Sequence, residues 1–78
     1  MKNELRLLKA LLPHIDPSDF WEIDMMGGRV NLMGWLTPEK AEKYTKLMRT
    51  EGIEENRGET LRLTRNNVMI VLTKHPLL

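Results

Sequence analysis

The sequence predicts one α+β domain, residues 1–78, of element order αββαββ, with a four-stranded, largely antiparallel sheet built from two hairpins and packed by two helices. Two stretches carry apolar residues at helical spacing, and two others alternate apolar and polar residues around a turn dipeptide. Helix and hairpin follow one another twice. A lone hairpin is only marginally stable in water, so the two are expected to join in one sheet with the helices against it.

In the first helix, "NELRLLKALL", Leu5, Leu8 and Leu12 form one stripe, Leu7 and Leu11 widen it, and Lys2, Arg6 and Lys9 fall opposite. Pro13 and Pro17 disfavour helical geometry at the residues before them, so the helix is expected to end near residues 12 to 15, ahead of the turn "DPSD".

Residues 20 to 36 alternate around Gly27 and Gly28, which supply the positive φ values of a two-residue turn. Counting outward pairs Met26 with Arg29, Met25 with Val30, Asp24 with Asn31, Ile23 with Leu32, Glu22 with Met33, Trp21 with Gly34 and Phe20 with Trp35. In that register Trp21, Ile23, Met25, Val30, Leu32 and Leu36 form the core face, with Gly34 leaving room for the indole of Trp21. Trp35, Phe20, Met33 and Met26 then point the other way, among Arg29, Asn31, Glu22 and Asp24.

"LTPEKAEKYTKLMRTEG" has Thr37 as N-cap, Pro38 at the first helical position and Glu39 in the first turn. Ala41, Tyr44, Leu47 and Met48 form its buried stripe, and Gly52 is the expected terminator. "IEENRGE" is read as an acidic loop in water. In the last segment Asn66 and Asn67 make the turn, Leu61 pairs with Leu72 and Leu63 with Ile70 on the core face with Val68, and Arg62, Thr64, Met69 and Val71 extend the second face.

Composition limits the function classes. A net charge of +1 is far from the basic balance of an obligate duplex-DNA binder. Without cysteine there is neither a disulfide framework nor a thiolate metal site, and no cofactor motif is visible. The charges that interrupt the N-terminal leucines leave no signal or membrane segment, so a cytoplasmic protein is expected, with no membrane partner and no evident small-molecule substrate. The size and the absence of cysteine and catalytic motifs resemble those of small accessory proteins of bacteria, phages and mobile elements.

Catalysis has little support. Glu22 and Asp24 share a strand face, but a cross-strand bridge from Asp24 to Arg29 accounts for them more simply. His14 and His75 have no partner at metal-ligand or nucleophile spacing. The expected function is non-enzymatic: binding of another protein, or of a second copy, through Phe20, Met33, Trp35 and Met69 with Arg29 and Arg62 at the rim. The alternative is single-stranded nucleic acid, with Trp35 and Phe20 stacking bases while Arg29, Arg62 and Arg65 meet phosphates. Glu22 and Asp24 would repel phosphate on that face, which favours the protein partner.

Overall fold

Gly27 and Gly28 have φ of 58° and 78°, the left-handed values that a two-residue turn demands, and join strand β1 (Phe20–Met26) to β2 (Arg29–Trp35). In the computed structural model, which describes residues 10–49, 52–55 and 58–77, β2 leads into helix α1 (Pro38–Met48). Strands β3 (Ile53–Glu55), β4 (Thr60–Arg65) and β5 (Val68–Thr73) follow. The sheet order is β1-β2-β5-β4-β3.

The expected four-stranded, largely antiparallel sheet packed by two helices is therefore corrected to a five-stranded mixed sheet with one α-helix among the described residues. Part of "IEENRGE" is strand, not loop: Ile53–Glu55 pairs antiparallel with Thr60–Arg62 and satisfies backbone groups along the β4 edge. The two hairpins meet through β2 and β5, which run parallel, with Val30 opposite Val68, Leu32 opposite Ile70 and Gly34 opposite Leu72. The Leu36 N–H donates to the Thr73 carbonyl at 2.8 Å, carrying this ladder past the end of β2. The first predicted helix falls largely on residues 1–9, outside the described residues. Its end is described as helical geometry at Ala10 and Leu11, then 3-10 turns at Leu12–His14 and Pro17–Asp19.

α1 forms where the signals place it. Thr37 Oγ1 accepts from the Lys40 N–H at 3.2 Å, and Pro38 occupies the first position. The helix stops before Gly52: Arg49 adopts φ 51°, ψ 41°, and its N–H donates to the Lys46 carbonyl. Tyr44 and Met48 are fully buried, lying over Leu63, Val68, Ile70 and Leu72 of the sheet's inner face. Leu11 and Ile15 complete this core.

The Gly-Gly register holds from Met26–Arg29 to Glu22–Met33 and then slips by one, so that Phe20, not Trp21, stands opposite Gly34. Trp21 is the extra residue of a β-bulge. A Cβ on Gly34 would overlap the Asp19 carbonyl oxygen and lie 3.2 Å from Phe20 Cδ1, so the bare glycine admits the ring of Phe20. That ring sits 5.1 Å from the ring of Tyr44, tilted by 56°. The assignments of Trp21 to the core and Phe20 to the open face are thus exchanged: Phe20 is 9% exposed and Trp21 is 53% exposed. Ile23 and Met25, also expected in the core, have the inward register but are at least half exposed. They lie on the edge strand β1, whereas α1 packs mainly on β4 at the other side of the sheet.

Candidate functional site

The face of the sheet opposite α1 carries Met33 and Trp35 from β2, Met69 and Val71 from β5 and Arg62 and Thr64 from β4, by the alternation of each strand and its register. No helix covers this face among the described residues. The bulge adds Trp21, whose ring centroid is 5.6 Å from that of Trp35 at an interplanar angle of 38°. The expectation that the two indoles point to opposite faces is corrected: one inserted residue puts them side by side. Trp35 is 36% exposed, and its other neighbour is His75, edge-on at 4.6 Å. The C-terminal tail thus touches Trp35 through His75, while Leu77 stays exposed.

Five of the six residues expected at the interface share this face by register: Met33, Trp35, Met69, Arg62 and Arg29. Phe20 does not, because it belongs to the core. Trp21, and Ile53 of β3 opposite Arg62, are the apolar residues that the sequence reading missed.

Charge on the face is mixed. Arg62 Nη2 lies 3.1 Å from Glu55 Oε1, an exposed pair of small energetic weight. Asp24 stands opposite Asn31 and Arg29 opposite Met26, and the expected Asp24–Arg29 bridge is absent among the described residues. The alternation of β1 leaves Glu22 and Asp24 on this face beside the tryptophans. A phosphate backbone would meet two carboxylates there against two arginines, Arg62 already paired with Glu55 and Arg29 without an ion pair among the described residues.

A second polar cluster lies behind the sheet. The Tyr44 hydroxyl donates to Asp19 Oδ2 at 2.6 Å and accepts from the Asp16 N–H at 3.3 Å. Lys43 Nζ lies 3.2 Å from the same carboxylate oxygen and 5.0 Å from the centre of the Tyr44 ring. Burial raises the pKa of the Tyr44 phenol above its ordinary value, and the bond donated to Asp19 reinforces this. The same carboxylate raises the pKa of Lys43. Asp16, the cap of the second 3-10 turn, has its pKa lowered by the hydroxyl and N–H of Ser18. With Tyr44 fully buried, its hydroxyl cannot reach a substrate; the cluster fastens α1 to the entry of β1.

No group of three His, Asp or Glu side chains among the described residues could hold a metal ion. His14 is exposed in a turn, and His75 Nδ1 accepts from the Leu77 N–H at 3.1 Å. No helix among the described residues is long and apolar enough to cross a membrane. Neither a family model, a curated protein nor a solved structure matches this chain, so its own chemistry alone carries the functional reading.

Proposed function

We propose that this protein works by binding another protein, or a second copy of itself, through the sheet face anchored on Trp21 and Trp35, and that it does so in the cytoplasm without catalysing a reaction. The observation that carries this reading is the pair of adjoining, mutually tilted, solvent-exposed indoles on a sheet face that no described helix covers. Large aromatics are the residues that most often dominate binding energy, and the neighbours Met33, Met69 and Val71 supply adaptable apolar area. Five strands about 4.8 Å apart span roughly 19 Å from edge to edge, enough for a modest interface. Arg62, Glu55, Arg29, Glu22 and Asp24 surround it with both signs of charge, which suits a protein partner better than a polyanion.

The test is Trp35→Ala, read by sedimentation equilibrium of the protein alone and with any partner co-purified from its native cells, beside a urea melt. The expected result is loss of the associated species at least tenfold in affinity, with the unfolding midpoint changed little. Loss of folding with association intact in the surviving fraction contradicts the reading.

A further inference from the structure

The end of α1, the His14 turn and the end of β4 enclose a cleft of about 470 Å³ lined by five basic side chains: His14, Lys43, Lys46, Arg49 and Arg65. Ala10 and Leu47 are the other described residues of its wall, and no carboxylate is among them. It lies on the helix side of the sheet, away from Trp35, and none of its residues enters the proposed protein interface.

Helix pairing and capping do not use up this charge. Lys43 is bound to Asp19 and Lys46 to Glu42, while Arg65 Nη1 donates to the Leu47 carbonyl at 3.4 Å. Arg49 has no hydrogen-bond or ion-pair partner through its side chain among the described residues. Among the described residues, two of the four permanent positive charges have carboxylate partners, which leaves an excess of two on the described lining of a chain whose net charge is +1. The negative end of a helix dipole amounts to about half a charge and cannot balance that excess. Arg49 also holds a left-handed backbone position, φ 51°, where glycine is the usual residue. The chain bears this conformational cost at the position that sets a guanidinium on the cleft wall.

The lining also indicates the ligand. The described lining offers no Phe, Tyr or Trp face for a base to stack on and no carboxylate for a ribose hydroxyl, so none of these residues reads a nucleoside. What the cleft offers is several cationic donors spread over a volume larger than one phosphate group needs. We infer that this cleft binds the phosphodiester backbone of a nucleic acid, through consecutive phosphates and without base recognition. Phosphate contacts of this kind position a nucleic acid but carry no sequence information.

The probe is a fluorescein-labelled mixed-sequence single strand of about twenty nucleotides, followed by anisotropy from low to moderate salt and compared with an unlabelled polyglutamate of similar charge as competitor. Lys43 stays on Asp19, whereas Lys46 can leave its exposed pair with Glu42, so three phosphate contacts, at Lys46, Arg49 and Arg65, at about 0.7 counterions each predict a log–log salt slope of roughly −2. Replacing two of these cations, Lys46→Gln with Arg49→Gln, should flatten the slope to roughly −0.7 and weaken binding about tenfold or more at low salt. Trp35→Ala should leave both quantities unchanged. Arg49→Gly is the second variant: it removes the charge while suiting the backbone, so a loss of binding there cannot be ascribed to misfolding. No binding at low salt, binding that survives the double substitution or is lost in Trp35→Ala, or equal competition by polyglutamate would each overturn the assignment, the last giving the cleft to an acidic peptide.

Discussion

Phe20 and Trp21 are neighbours in the chain, yet one extra residue sends them to opposite sides of the sheet. Burial follows the space each finds: Gly34 and Tyr44 make a slot for the smaller ring, and the indole is left to pack at a tilt against Trp35. Phe20→Ala should therefore cost about 3 to 5 kcal/mol in a urea melt. Trp21→Ala, which forfeits mainly the contact with Trp35, should cost about 0.5 to 1.5 kcal/mol. Gly34→Ala crowds the slot and should destabilise by about 1 to 3 kcal/mol, as overpacking does. The Tyr44 phenol sets an alkaline limit. Its folded pKa lies above the unfolded value near 10, so the unfolded chain loses this proton first as pH rises. The stability it contributes is complete below that pH and is lost as pH climbs through the folded pKa. Tyr44→Phe should lower stability at neutral pH by about 1 kcal/mol, through the lost bond to Asp19, and remove that part of the alkaline decline.

At the scale of elements, much of the architecture was legible because local chemistry specified it. Gly27 and Gly28 set the hairpin register from Met26 back to Glu22, Thr37 and Pro38 start α1 where expected, and the Leu61–Leu72 and Leu63–Ile70 pairs form as read. The errors have physical causes. A bulge changes register without changing composition, so alternation carried past Glu22 gave Trp21 and Phe20 the wrong faces. β3 is three residues long, two of them glutamate, and is held by its ladder with β4 rather than by strand propensity. The parallel β2–β5 contact joins segments far apart in the chain, and no turn residue announces it. The basic cleft did leave a trace, since Lys43, Lys46 and Arg49 recur every three residues, but its other wall comes from distant turns. At the end of α1, Arg49→Gly should leave stability unchanged or raise it by up to about 1 kcal/mol, measured by thermal melt, because glycine adopts the left-handed position without strain.

Across the whole molecule, the sheet separates two surfaces of different chemistry. One side holds the core, α1 and the basic cleft; the other presents the tryptophan pair and its methionine and valine neighbours. The candidate interface was visible in the sequence as an excess of apolar residues on the second face, and the structure changes its membership by exchanging Phe20 for Trp21. The most direct test of the account is site-specific cross-linking in the protein's native cells, with a photo-reactive benzoylphenylalanine in place of exposed Thr64 on the outer face or of exposed Glu42 on α1. A discrete higher-mass adduct is expected from position 64, absent from position 42 and abolished by Trp35→Ala. No adduct from position 64, equal adducts from both positions, or an adduct that persists without Trp35 would contradict it.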